Sequence, residues 1–151
     1  MSITYYEATK EDINELIRLR IAYMMDDFGS ITDQERKGME TQLPDYFSRK
    51  LGTELIAFVA KDGDKIVSVA YLHIIEMPAN SVLLNGLYGE VLSVYTEPDY
   101  RGKGICTKLM NNLVEYGKKI LCLAINWPRP SGNQRQRSAL KDIGGRYQKK
   151  I

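Results

Sequence analysis

Residues 94–110 read VYTEPDYRGKGICTKLM, and the fold turns on what Arg101-Gly102-Lys103-Gly104 is built to hold. An apolar strand pattern enters this stretch and Pro98 interrupts it. A helical pattern opens at Gly104, with Ile105, Leu109, Leu113 and Tyr116 on one face. A helix N-terminus offers backbone N–H groups without intrahelical partners and a partial positive charge. Glycine lets a bulky anion approach those amides, and Arg101 and Lys103 add formal charge at the same place. The combination predicts a cradle for phosphate or pyrophosphate.

Two nucleotide loops fail on spacing. A nucleoside-triphosphate loop needs G-x-x-x-x-G-K-S/T, whereas Lys103 lies between the two glycines. A dinucleotide fingerprint needs G-x-G-x-x-G near the start of a βαβ unit, but Lys108 and Leu109 occupy the neighbourhood of the third glycine.

Upstream, Thr4 to Ala8 alternates weakly and is β-prone. Thr9 can cap the next helix, with Asp12 in the capping-box position. Ile13, Leu16, Ile17, Ile21 and Met24 form an apolar stripe that predicts a core face, and Gly29-Ser30 ends that helix. A second helix is predicted over residues 33–51, broken near Pro44. Leu55 to Ala60 and Ile66 to Ile75 read as strands joined by the Asp62-Gly63 turn into a hairpin. Residues 78–86 form a polar loop of a length often used functionally. Glu90 to Val94 resumes a strand, and the apolar run from Ile120 to Ile125 reads as a buried one. The order is strand, two helices, three strands, helix, strand, which gives one α/β domain over residues 1–151, with 126–151 an atypical basic end.

Composition sets the outer limits. A chain of 151 residues and 17.2 kDa fits one domain with a substantial core. No apolar run reaches the roughly 18 residues of a membrane span, and the N-terminus lacks the charged-then-apolar pattern of a signal peptide. The cytoplasm is the expected compartment. Cys106 and Cys122 lack metal-ligand spacing and read as free thiols in a reducing environment. No metal is expected. Net charge changes sign along the chain: residues 1–126 carry −4 and residues 127–151 carry +6.

From Val91 to Ile105 the sequence VLSVYTEPDYRGKGI resembles the acetyl-CoA-binding motif of the GNAT superfamily of N-acetyltransferases. That motif is an apolar strand, a short link commonly carrying proline, then Gln/Arg-x-x-Gly-x-Gly/Ala opening a helix. Arg101 and Gly104 fill its first and fourth positions. Cys106 stands at the sixth, where the family usually has glycine or alanine. The chain order agrees with the family through about residue 125. The resemblance implies a mixed, mostly antiparallel α+β sheet flanked by helices, with acetyl-CoA as co-substrate. It implies that the thioester and pantetheine lie along Val94, Tyr95 and Thr96 through main-chain bonds. The pyrophosphate is then expected at the amides of Gly102, Lys103, Gly104, Ile105, Cys106 and Thr107, beside Arg101.

The resemblance also implies direct attack by an acceptor amine, without an acetyl-enzyme. A backbone N–H at the splay near Val94 can polarise the thioester carbonyl. Glu90 is the base candidate, with side-chain parity shared by Leu92 and Val94; the bland reading is a solvated or salt-bridged strand-end glutamate. His73, in a β-rich run, reads as structural, and Cys106 reads as packing rather than as a nucleophile. Tyr23, Asp26, Asp27 and Phe28 are the acceptor-side candidates, because acidic and aromatic groups suit an amine; a solvated helix end is the plain alternative. The acceptor is expected to be a small-molecule or peptide amine, with a homodimer left open.

The family's general acid is a tyrosine in a Leu-Tyr-x-x-x-Gly-Phe segment. The nearest text here, Ala139-Leu140-Lys141-Asp142-Ile143-Gly144-Gly145, lacks both aromatics, and Tyr147 is only near it in sequence. That gap admits a non-catalytic acyl-CoA-binding module as the alternative. The basic tail is weak evidence for nucleic-acid binding without an aromatic-interleaved platform. If Asn126-Trp127-Pro128-Arg129-Pro130 is encoded AAT TGG CCG CGA CCN, the neighbouring frame gives Leu-Ala-Ala-Thr, similar to the family's fifth strand. A frame-shifted, a divergent and a disordered tail are the three readings this leaves open.

Overall fold

The computed structural model describes residues 2–120 and 125–126. The elements follow the order read from the sequence: β1 (Ile3–Glu7), α1 (Ile13–Phe28), α2 (Asp33–Lys50), β2 (Leu55–Asp62), β3 (Lys65–Glu76), β4 (Leu87–Thr96), α3 (Ile105–Lys119) and β5 (Ile125–Asn126). The strands form one sheet in the order β1-β2-β3-β4-β5. The first three pairings are antiparallel and β4 with β5 is parallel. The mixed, mostly antiparallel sheet with three helices is the expected architecture.

Local chemistry starts and stops the helices. The Asp12 carboxylate accepts the Thr9 N–H at 2.9 Å, while the Thr9 hydroxyl accepts from Glu11 N–H at 3.4 Å. This capping box closes a 3-10 turn over Lys10–Asp12, from which α1 continues. Gly29 ends α1 at φ +82°, a conformation that carries no Cβ penalty in glycine.

The expected break at Pro44 is absent: α2 runs unbroken from Asp33 to Lys50 with Pro44 inside it. Proline removes one hydrogen bond to the preceding turn, to the carbonyl of Glu40. Both residues lie on the exposed face, where water can satisfy that carbonyl, and buried Leu43 and Phe47 hold the helix on either side.

Two apolar layers sandwich the sheet. Ile56, Val67, Leu72 and Val91 pack against Leu109 and Leu113 of α3. On the other face Val59, Val69 and Tyr71 meet Leu16 and Leu19 of α1 and Phe47 of α2. Each large aliphatic side chain fully removed from water contributes about 1.5–3 kcal/mol. The α1 stripe is corrected at two positions. Leu19 is fully buried although it was not in the sequence-derived stripe, and Met24 is only half-buried because it lies toward the open end of the helix.

The β2–β3 hairpin turns in two residues, Gly63 at φ +62° and Asp64, between the Asp62–Lys65 pair. The expected buried strand over residues 120–125 is described only at Ile125–Asn126; residues 121–124 lie outside the described residues, as do Cys122, Tyr147 and the basic end from residue 127.

Candidate functional site

The feature that organises the site is an interruption in β4. Val69 pairs with Tyr95 and Tyr71 pairs with Leu92, so Ser93 and Val94 together oppose Ala70. Ser93 takes φ +47°, the one non-glycine residue with positive φ among those described. Such a bulge bends a strand and re-aims its side chains.

The bulge corrects the parity expected for Glu90. Val94 packs with Val91 in the α3 layer, whereas Leu92 belongs to the α1/α2 layer. Glu90 therefore shares the α1/α2 face with Leu92 but not with Val94. It pairs in register with His73, which places both residues on that face, next to the Tyr71–Leu92 pair. His73 is half-buried there.

Beyond Glu90 the far edge of β4 is open. Among the described residues, β5 pairs with β4 only at Gly89–Ile125 and Glu90–Asn126, and on that edge, away from β3, no described strand lies against residues 91–96. An open strand edge can accept an extended ligand carrying amides, in the manner of an added strand. The side chains of Tyr95 and Thr96 are turned inward. Tyr95 is buried against the α1/α2 layer, and the Thr96 hydroxyl lies 2.7 Å from the buried Ser68 hydroxyl, which also donates to the Tyr95 carbonyl at 3.0 Å. Any ligand contact at Tyr95 or Thr96 along this edge is thus a main-chain one.

The link from β4 to α3 is held from both sides. Glu97 N–H donates to the Val67 carbonyl at 2.9 Å, and its carboxylate joins Arg18 at 2.6 Å and Lys65 at 3.0 Å. Tyr100, in a 3-10 turn over Pro98–Tyr100, donates to Asp62 at 2.6 Å, which ties the link to the β2–β3 hairpin. The adjacent carboxylate holds the Tyr100 phenol above its ordinary pKa.

Arg101 is held by neighbours within the chain. Its Nε donates to the Thr96 carbonyl at 2.8 Å, its Nη2 pairs with Asp26 at 3.2 Å, and its guanidinium lies over the Tyr95 ring at 5.6 Å. With 13% of its side chain exposed, it braces the loop onto β4 and α1 rather than projecting as an open cationic arm.

Gly102 and Gly104 both take positive φ, +76° and +79°, with open space around each. Gly104 caps α3 and makes no side-chain cap hydrogen bond, and the first turn holds no acidic residue. At this end Lys108 N–H donates to the Gly104 carbonyl at 3.1 Å. The turn from Gly104 to Thr107 thus presents backbone donors and the positive end of the helix dipole to an anion. Cys106, one of those residues, packs against the α3 layer, and burial pushes its thiol up to about 11. The helix terminus does not activate it, which favours packing over nucleophilic chemistry.

The acceptor-side candidates scatter. Tyr23 meets Tyr95 edge-on at 6.4 Å, Asp26 holds Arg101, Asp27 is half-buried, and Phe28 is 69% exposed. None of Tyr23, Asp27 and Phe28 lines the open cleft of about 180 Å³ between α1, α2 and the sheet. That cleft is walled by Arg20, Gln42, Tyr46, Tyr71, Leu92 and Ser93, and so reaches β4 at its bulge. Sequence reading missed these residues. One signal was available: Arg20 follows Leu16 by four positions, a charge on the apolar face of α1.

The arrangement can hold an anion at α3, a strand-like arm along β4 and a second reactant in the cleft meeting it at the bulge. Among the described residues no group of three His, Cys, Asp or Glu side chains is placed to hold a metal ion, and no helix is long and apolar enough to cross a membrane.

Comparison with known proteins agrees with this geometry. The model of the acetyltransferase (GNAT) family matches residues 18–144. Among solved structures, a protein from Clostridium acetobutylicum described as a predicted acetyltransferase, solved with acetyl-CoA, is 26% identical, with a TM-score of 0.82 over 95% of this chain and 89% of that one. The ribosomal-protein-alanine N-acetyltransferase of Brucella melitensis biovar Abortus 2308 shares the fold at 17% identity and a TM-score of 0.73, covering 95% and 91%. Glucosamine-6-phosphate N-acetyltransferase of Arabidopsis thaliana does so at 17% identity and 0.64, over 95% and 91%. No curated protein sequence matches the chain. Motif, sheet and family match converge: the chain belongs to the acetyltransferase (GNAT) family and is an N-acetyltransferase that uses acetyl-CoA.

Proposed function

We propose that residues 1–151 form one catalytic domain that moves acetyl from acetyl-CoA directly to the primary amine of a small molecule or peptide. The observation that carries this reading is the uncapped, glycine-opened start of α3 beside the bulged open edge of β4. The backbone amides of residues 102–107 hold the pyrophosphate, and main-chain groups of Val94, Tyr95 and Thr96 hold the pantetheine. Arg101 acts through its brace on this loop.

Acetyl-CoA supplies the acetyl group as a thioester; the amine nitrogen forms the new C–N bond as the C–S bond breaks. The Glu90 carboxylate removes the proton that the amine must lose, directly or through one water. His73 flanks it across the strand pair and keeps the structural role read from the sequence. The backbone at the bulge polarises the carbonyl near Val94. Water returns a proton to the departing thiolate. A cytoplasmic location and a homodimer are compatible with this reading and belong to the same proposal, as do Tyr23, Asp27 and Phe28 at the outer mouth of the acceptor path.

Thiol release with a panel of amines tests it. Wild type is expected to turn over an amine, and Glu90→Gln to lose about 10²–10⁴ in kcat while keeping its thermal stabilisation by acetyl-CoA. Full activity in Glu90→Gln removes Glu90 from the mechanism.

A further inference from the structure

The described arginines fall into two groups. Arg18, Arg36, Arg49 and Arg101 each pair with a carboxylate. Arg20 does not pair with one among the described residues. Its Nη1 donates to the neutral Ser93 hydroxyl, and its guanidinium lies over the Tyr23 ring at 5.7 Å. Arg20 nevertheless lines the cleft that ends at the β4 bulge.

A second observation lies in the same cleft. Tyr71 is 3% exposed, its ring stacks on Phe47 at 5.9 Å, and its hydroxyl has no hydrogen-bond partner among the described residues. A buried hydroxyl left without a partner costs about 1–3 kcal/mol, so native folds hold few of them, and a water, an ion or a ligand can satisfy such a group. Burial holds the phenol far above its ordinary pKa, so it remains neutral and able to donate. Arg20, which meets no carboxylate among the described residues, and Tyr71, with its unpartnered buried hydroxyl, thus belong to the wall of one cleft, together with Gln42.

Donors of that kind recognise an oxyanion, and an arginine fork suits carboxylate and phosphate alike. Glu90 and His73 lie on the same sheet face, beyond Leu92 and Tyr71 respectively. A ligand with an anion at Arg20 can therefore direct its amine along the strand toward the bulge and Glu90. We propose that the acceptor is a small primary amine that also carries a carboxylate or phosphate, and that Arg20 and the Tyr71 hydroxyl read this anion. The proposal rests on the acetyl-transfer reading above and narrows its acceptor to anionic amines.

The test uses matched amines with and without the anion: L-lysine against cadaverine, and O-phosphoethanolamine against ethanolamine. Thiol release and thermal shift are read with saturating acetyl-CoA and coenzyme A respectively. Wild type is expected to prefer the anionic member of at least one pair by tenfold or more in kcat/KM, and the responding pair identifies carboxylate or phosphate. Arg20→Met should raise KM for that member 10- to 100-fold, at least tenfold more than it changes KM for the uncharged partner. Tyr71→Phe should keep or raise the melting temperature of the free protein while raising the same KM about fivefold, a split that a packing role does not produce. Equal use of both members, a preference that survives Arg20→Met, or neither turnover nor stabilisation by any of the four overturns the proposal. Absence of stabilisation by acetyl-CoA itself instead brings down the coenzyme site on which it rests.

Discussion

Arg101 separates two accounts of how the proposed coenzyme loop is built. If its guanidinium braces the loop, removing Asp26 and removing Arg101 act in the same direction. If it is a phosphate ligand that Asp26 merely competes for, Asp26→Asn frees it and tightens coenzyme binding. The structure gives the magnitude. The charge-assisted bond to the Thr96 carbonyl at 2.8 Å is worth about 1.5 kcal/mol. The contact with Asp26 at 3.2 Å, whose side chain is 31% exposed, adds about 0.5 kcal/mol. Stacking over Tyr95 adds roughly 0.5 kcal/mol more. Arg101→Ala should therefore cost about 2.5 kcal/mol of stability, or roughly 7 °C in melting temperature for a chain of this size. Because the braced loop leads into Gly102 and Gly104, acetyl-CoA affinity should fall about tenfold. Asp26→Asn should lower the melting temperature by only about 2 °C and weaken affinity two- to threefold. Differential scanning fluorimetry and calorimetric titration with acetyl-CoA read both quantities. Tighter binding in Asp26→Asn, or unchanged binding in Arg101→Ala, refutes the brace.

Three further outcomes follow from local geometry. Gly86 lies at φ +74°, and a Cβ there would stand 2.0 Å from the Met77 carbonyl oxygen, so Gly86→Ala should cost at least about 2 kcal/mol through left-handed strain and backbone displacement; an unchanged melt contradicts the loop geometry. In a Cys122→Ser background, iodoacetamide at pH 8 should alkylate Cys106 about 100-fold more slowly than a thiol of ordinary pKa 9, because a thiol near 11 holds about a hundredth of the thiolate; modification at the free-thiol rate excludes the buried packing. Glu15 is held below its ordinary pKa chiefly by its hydrogen bond from Arg18, so its stabilising contribution is fully present above the ordinary glutamate value of 4.5 and disappears as pH falls through the lower folded value. The stability gap between wild type and Glu15→Gln should accordingly be flat from pH 7 to about 5.5 and shrink toward pH 4 in urea melts, and a gap that widens on acidification contradicts the Arg18 pairing.

The sequence by itself determined whatever depends on residues a few positions apart. Thr9 and Asp12 cap one helix start, Gly29 ends a helix, Gly63 turns a hairpin, and the 3.6-residue spacing from Ile105 to Leu113 selects the face that α3 buries. The loop from Arg101 to Gly104 was legible for the same reason: glycine, charge and a helix start are adjacent in the chain. Tertiary structure decided what depends on register and on partners distant in sequence. The slip between Val69 and Tyr71 re-aims Val94, and no local pattern in LSVYT announces it. Arg101 finds Asp26 across 75 positions, and the Arg20–Ser93 contact joins residues 73 apart, so neither role could be read from a window around either residue. Pro44 stays inside α2 because burial of Leu43 and Phe47 outweighs one lost hydrogen bond on a wet face. Short-range chemistry wrote the glycine-opened loop into the sequence, whereas the cleft proposed for the acceptor exists only once α1, α2 and the bulged strand have packed together.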